Sequence, residues 1–422
     1  MEAEKNHEIG MLHNLRLKAM ALWHSDRYRT DILQFIEFGL GYFAVLIVGY
    51  LLVRKINLSL SDIEMGRFSY VQSIVTIVAP VLYLAAPNAY LRFHEDHCVP
   101  TRLRAFLMPF YWFAFVVLAL LIFLCTRSFV ALLYAFFPFF MEKTYFLRAQ
   151  MEVRKLNILR TLELLLPLLA LYAVSFRVEP TGDMVLGFYG IGYAVAFLFR
   201  ARGTGDGEID RKEVVRYLTP IVFTSLLVFV LNNVSVVVTK HYWGYESAGQ
   251  MGVAVRALLF LRSLSGLFMM FYPMIYFREA KKGNYGIVRL YRTVIIMMVA
   301  SFAAGLVVFA PLVYRILGAA GYVETVNVFR ILVGAEFLNF LIDVYCLYFS
   351  LEIKTWKGTI VKVIAIAVLA AGLGAIPWLH LAPETNLPYV AYTVLAAALT
   401  SSAIGGVWAL VGERRHMRSK RA

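Results

Sequence analysis

Residues 249 to 277 read GQMGVAVRALLFLRSLSGLFMMFYPMIYF, a stretch long enough to cross a lipid bilayer that nevertheless holds two arginines, Arg256 and Arg262. A guanidinium keeps its charge and presents a planar fork of donors, so what it offers inside a membrane is a grip on phosphate or carboxylate oxygens. With the outer end of this segment near residue 249, Arg256 lies about 10 Å down and Arg262 about 20 Å down, at ~1.5 Å per residue. A side chain of that length can snorkel to the interface from the first depth but hardly from the second. Six residues also set the two about 120° apart on an ideal helix. Both face inward only if the cavity is broad or the helix kinks; otherwise Arg256 snorkels and Arg262 alone faces the lumen. The competing reading pairs an arginine with an intramembrane carboxylate and makes it a tie between helices.

Carboxylates for either reading lie in RILVGAEFLNFLIDVYCLYF (330–349), where Glu336, Asn339 and Asp343 fall at i, i+3 and i+7 on one stripe of a helix. Facing lipid, each central charge would cost about 2.5–3.5 kcal/mol even on insertion scales, so the stripe should face protein or water. Glu37, Glu163 and the pair Asn232 and Asn233 add polar groups at membrane depth. Desolvation lets buried carboxylates titrate nearer neutrality, which suits coupling to H+ or Na+. Internal ion pairs with Arg256, Arg262, Arg330 or Lys362 are the equal alternative. Arg330 falls near one interface and Lys362 near the other, where each reads as an anchor.

The elements that must position these residues follow from composition. Sixty per cent apolar residues, 16 per cent charged and a mean hydropathy of +0.69 exclude an ordinary soluble domain, which carries about 25 per cent charged residues. The chain of 422 residues reads as an all-α polytopic membrane protein with about twelve spans of ~20 residues. They fall near 32–53, 68–91, 105–125, 128–147, 157–176, 184–200, 214–239, 248–277, 291–313, 326–350, 358–379 and 388–411. With the N-terminus inside, the cytoplasmic connections hold 28 of the 41 Lys and Arg residues and the external ones 7, which places both termini in the cytoplasm. The net charge of +14 is thereby read as topology and attraction to anionic lipid, not as nucleic-acid binding. Three scattered cysteines form neither a disulfide framework nor a metal cluster. The polar opening segment does not read as a cleaved signal peptide.

Two internal matches organise the spans. AQMEVRKLNILRTLELLLPLLA (149–170) matches SLEIKTWKGTIVKVIAIAVLA (350–370) at an offset of 200, and LSDIEMGRFSYVQSI (60–74) matches GYESAGQMGVAVRAL (244–258) at an offset of 183. The order implies a cytoplasmic segment (1–31), a six-helix bundle (32–200), a Gly- and charge-rich linker (201–213), a second bundle (214–411) and a basic tail (412–422). Because six is even, the bundles are related by a parallel pseudo-two-fold axis along the membrane normal, with a substrate site at their interface.

The stretch VVRYLTPIVFTSLLVFVLNNVSVVVTKHYWGYESAGQMGVAVRALLFLRSLSGLFMMFYPMIYF (214–277), with YLRF (90–93) closing the second span, resembles the Wzx-type O-antigen flippases, polysaccharide transporters of the MOP superfamily. It departs from their pattern after the Asn pair, where VSVVV replaces an acidic residue, and at Val253, where a Tyr is usual. The resemblance implies a MOP (MATE-like) fold in the bacterial cytoplasmic membrane. It implies export of undecaprenyl-pyrophosphate-linked oligosaccharide repeat units by alternating access, for cell-surface polysaccharide assembly. Arg262, Arg256, Asn232 and Asn233 would line a cationic substrate cavity, and Glu336, Asn339, Asp343, Glu37 and Glu163 would serve ion coupling or line it. Membrane lipids, a polysaccharide polymerase and a chain-length regulator would be partners, and no cofactor is called for.

Enzymatic motifs do not compete: there is no Walker loop, HExxH or GxSxG. HEDHC (94–98) has metal-capable residues but no second ligand set. The expectation is therefore a non-enzyme. A MATE-like drug or metabolite extruder, which would want an anionic lumen, is the alternative among transporters. A membrane polymerase or acyltransferase is the alternative from another class; short external loops weigh against a polymerase.

Overall fold

The structure is a computed structural model that describes residues 26–93, 99–150, 152–199, 209–351, 355–379 and 383–419. The segment HEDHC, residues 201–208 of the linker, and Glu352 and Lys354 of the second repeat lie outside the described residues. Regular structure among the described residues is helical, as hydrocarbon requires of a chain that must satisfy its own backbone groups. The first half comprises α1 (Asp26–Ser59), α2 (Asp62–Leu82), α3 (Pro87–Arg92), α4 (Thr101–Thr126), α5 (Phe137–Ala149), α6 (Val153–Ser175) and α7 (Gly182–Ala194). The second comprises α8 (Arg211–Ala257), α9 (Leu259–Lys281), α10 (Tyr285–Val308), α11 (Ala310–Ile316), α12 (Val326–Leu351), α13 (Thr355–Gly374), α14 (Ile376–Leu379) and α15 (Pro383–Ser419).

Nine helices among the described residues are long and apolar enough to cross a bilayer. The other three expected spans are helical but short or broken. Span 128–147 is a 3-10 turn, Ala131–Phe136, running into α5, and span 184–200 is α7 with a terminal 3-10 turn, Val195–Leu198. Span 248–277 is divided between the end of α8 and α9. With twelve alternating passes, α1 begins and α15 finishes at one end of the molecule, the near end; the opposite end is the far end.

Local sequence sets the irregularities. Ser61 caps α2, its side chain accepting from the Glu64 amide, so the helix starts six residues before the apolar run. Pro80 lies in its last turns; the chain then turns through Leu84 and Ala85 at φ 53° and 48° and restarts at Pro87. Gly244, at φ 84°, marks where the seventh span turns into the eighth, a conformation that glycine alone adopts without cost.

Each half ties its third span down at the near end with an ion pair whose carboxylate is buried. Arg104 of α4 meets Glu142 of α5 at 2.9 Å, with Tyr90 donating to the same carboxylate at 3.4 Å. Arg292 of α10 meets Glu413 of α15 at 2.9 Å, beneath the Tyr345 ring. Both arginines lie in the first turns of the third span of their half, but their carboxylates come from the fourth span in one half and the twelfth in the other.

The halves meet across their pseudo-two-fold axis at the far end. A Cβ on Gly66 would overlap the Tyr245 carbonyl, and one on Gly249 would overlap the Asp62 carbonyl. At the offset of 183, Gly66 corresponds to Gly249 and Asp62 to Tyr245. One contact is thus the symmetry copy of the other, as an isologous interface demands. Glycines let the two backbones approach closely, the usual device between membrane helices.

Candidate functional site

Behind this crossing, within the second half, lies a cavity of about 210 Å³ walled by α8, α9, α12 and α13. Arg262 reaches it from the first turn of α9 and Glu336 from α12, with Arg262 Nε donating to Glu336 Oε2 at 3.1 Å. One turn pair further along α12, Asp343 meets Lys362 of α13, Oδ1 to Nζ at 3.4 Å. Asn339 sits between the two carboxylates on the same stripe, and its Oδ1 is buried without a hydrogen-bond partner. Asn232 and Ser265 complete the polar wall; Met269 and Phe340 are apolar.

Four expected residues, Arg262, Asn232, Glu336 and Asn339, are therefore brought together, and Asp343 with them. Asn233 is not in this wall. Neighbouring residues on a helix point about 100° apart, and its amide donates instead to the Phe229 carbonyl at 3.0 Å. Glu163 lies in the first half, buried on α6 beside Arg160 at 3.5 Å. The side chain of Glu37 lies outside the described residues.

Arg256 neither snorkels nor enters the cavity. Its guanidinium crosses into the first half, where it donates to Met65 Sδ and Ser69 Oγ and lies 4.7 Å above the Phe68 ring. The break between α8 and α9 at Leu258 adds to the six-residue offset and separates the two arginines.

Lys362, expected as an interfacial anchor, is 4 % exposed and belongs to the site. Arg330, also expected as an anchor, bonds the Val307 carbonyl at 3.1 Å and Asn327 at 3.0 Å. With Lys362 included, the wall carries two cations and two carboxylates, so its formal charge balances where the sequence suggested a cationic lumen. Ser265 was missed because a serine in an apolar span gives no signal; Lys362 meets Asp343 as the ion-pair alternative allowed, although its place near the expected span end favours reading it as an anchor.

Arg262 spends only its Nε on Glu336. Its two Nη groups have no protein partner among the described residues, and its side chain keeps 30 % of its surface. A guanidinium held this way is oriented by one carboxylate and still presents a donor edge to the cavity.

No protein-family model and no curated protein matches the sequence. Solved structures do. The chain is similar to a MATE transporter crystallised with MaL6, at TM-score 0.65 and 13% identity, over 90% of this chain and 97% of that one. It is similar to the outward-facing conformation of a multidrug resistance MATE family transporter of the MOP superfamily, at TM-score 0.65 and 14% identity, over 90% and 96%. A third is a MOP superfamily transporter from Pyrococcus furiosus described as having a binding pocket of reverse polarity, at TM-score 0.56 and 13% identity, over 90% and 96%. The chain has the MATE/MOP transporter fold. It is a multi-pass membrane protein, and its solved relatives in fold are transporters.

Proposed function

We propose that the protein is a flippase for an anionic, lipid-linked oligosaccharide, with undecaprenyl pyrophosphate as the carrier, in a bacterial cytoplasmic membrane with both termini in the cytoplasm. The observation that carries this reading is Arg262, held through Nε and offering both Nη groups to a cavity at membrane depth. A diphosphate cannot cross hydrocarbon unless fixed donors and water replace its hydration, because an isolated ion pays a desolvation penalty of several kcal/mol. Arg262 supplies such donors in the bidentate geometry that phosphate oxygens accept. Asn232 and Ser265 add neutral groups that can bond sugar hydroxyls.

A cavity of about 210 Å³ suits the charged head and not a whole oligosaccharide. The glycan would occupy the cleft between the halves while the polyprenyl tail stays in lipid, and rocking of one half against the other would change the side of access. An anion on Arg262 competes with Glu336. Displacement would free that carboxylate to take up H+ or Na+, which links substrate binding to a coupling ion. Polymerase and chain-length regulator then stand downstream as partners.

A second reading has one observation in its favour. The Asp343 side chain is 46 % exposed, which leaves a carboxylate available to a cationic solute, as a MATE-like extruder would need.

Substitution separates these readings. Under the flippase reading Arg262→Ala removes most export of the glycan while the protein still reaches the membrane, and Arg262→Lys keeps part of it. If Arg262 only neutralises Glu336, the pair Arg262→Ala with Glu336→Gln restores export; that rescue would refute the substrate role. Extrusion of cationic dyes that depends on Asp343 and ignores Arg262 would favour the extruder.

A further inference from the structure

The far-end crossing is symmetric in its backbone but not in its charge. Ser69 and Gly252 correspond at the offset of 183 and touch each other on the axis. The same offset relates Arg256 to Ser73. One half therefore sends a cation across the crossing and the other sends only a hydroxyl-bearing residue.

Four other cations packed among the helices are held differently. Arg104, Arg262, Arg292 and Lys362 each meet a carboxylate. Among the described residues Arg256 forms no ion pair; its partners are a thioether, a hydroxyl and an aromatic face. Neutral partners cost less to leave than a buried carboxylate would, since separation strands no opposite charge.

Around Arg256 the halves are joined by further polar contacts. Tyr322 donates to Asp62 Oδ1 at 2.6 Å. The carbonyls at the end of α11, Ile316 and Leu317, are capped from the other half: Tyr50 and Arg54 donate to Ile316 O at 2.7 and 2.9 Å, and Asn57 donates to Leu317 O at 3.0 Å. Such carbonyls are left unpaired by the helix itself, so α11 relies on the opposite half for its C-terminal cap. The Lys240 ammonium lies over the rings of Tyr70 and Tyr245, 4.9 and 5.3 Å away, at the same end.

We infer that the crossing of α2 with the start of the eighth span is the far-end gate of the transport path, and that Arg256 is its latch, a positioning residue and not a substrate ligand in this state. The inference rests on the reading of the protein as a transporter but not on the identity of the solute. Donors that cap α11 in the closed state must exchange to water when the gate parts. Arg256, with no carboxylate to hold it, swings free with its own half.

The test measures access without using a substrate. In a cysteine-free background reconstituted into liposomes, Ser265→Cys reports the cavity and Glu246→Cys, exposed at the far end, reports which vesicles expose that face. An impermeant thiol reagent is supplied on that face. Arg256→Ala and Ser69→Ala should each raise the labelling rate at position 265 several-fold relative to the parent, with Arg256→Lys between. Tyr322→Phe, which keeps the ring, should act in the same direction. In a separate protein, Asp62→Cys and Tyr322→Cys joined by a short bifunctional thiol linker should abolish far-side labelling of the cavity, read there through an azide-bearing residue at position 265 and an impermeant strained alkyne. Unchanged labelling in Arg256→Ala and Ser69→Ala, in protein that elutes as the parent does, would overturn the latch. Undiminished far-side labelling in the linked protein would overturn the gate. Either outcome leaves the question of the solute untouched.

Discussion

Replacing Glu336 by Gln tests the geometry of the cavity before any transport is measured. Its carboxylate lies 3.1 Å from Arg262 Nε, and the two side chains are 14 % and 30 % exposed. Exposed pairs are worth about 0–1 kcal/mol, whereas removing one partner of a fully buried pair costs about 3–5 kcal/mol. A pair open to a polar cavity on one side falls between, so Glu336→Gln and Arg262→Met should each destabilise the protein by about 2 kcal/mol. The double variant should cost less than the sum, with a coupling of ~1–2 kcal/mol. Equilibrium unfolding of the four proteins, by denaturant titration in mild detergent and read by tryptophan fluorescence, gives the cycle. Additivity of the two single effects within about 0.5 kcal/mol would show that the pair is not formed, and the placement of Arg262 above the cavity would fail with it.

Three further outcomes follow from the packing. Gly66→Ala and Gly249→Ala each drive a methyl into a backbone carbonyl of the opposite half, so both should favour the open far end and raise labelling of the cavity from that side; equal labelling would contradict the close approach. Glu413→Ala strands the buried Arg292 and should cost about 3–5 kcal/mol, and Glu142→Ala, whose partner Arg104 keeps 26 % of its side-chain surface, should cost less, both seen as lower yield and melting temperature, with part regained when Arg292 or Arg104 is replaced by Met as well. Cysteines at Lys212 and Glu246, both exposed, should label from opposite sides of intact cells, Glu246→Cys from outside; labelling of Lys212→Cys from outside would reverse the proposed orientation.

Much of the fold was legible because a bilayer enforces runs of about twenty apolar residues, and two short repeats then suggest paired halves. What the runs could not give were the ends set by polar chemistry. The second span starts at Asp62 because Ser61 caps it, outside the apolar run, and it breaks at Leu84 and Ala85, where nothing but Pro80 and Pro87 hints at a turn. The stripe of Glu336, Asn339 and Asp343 was readable from helical period alone, and an intramembrane carboxylate for Arg262 was foreseen without saying which. Period also shows that Asn232 and Asn233 cannot both face one cavity, but not which of them does. Arg256 illustrates the limit: its depth and angle were computable from spacing, whereas Ser69, Met65 and Phe68 lie some 190 residues away and no local pattern brings them to it. The caps on α11 are of the same kind, since Tyr50, Arg54 and Asn57 look like ordinary interfacial residues until the other half is docked against them.

The central claim is that this fold, in this chain, carries a lipid-linked anionic glycan. It is tested most directly by reconstituting the purified protein into liposomes that contain undecaprenyl-pyrophosphate-linked oligosaccharide and following the glycan's loss of protection from an impermeant periodate or glycosidase. The account predicts transfer between leaflets well above that of protein-free vesicles, reduced to near background by Arg262→Ala and partly kept by Arg262→Lys. Transfer no faster than in protein-free vesicles, by a preparation that extrudes a cationic dye, would contradict it.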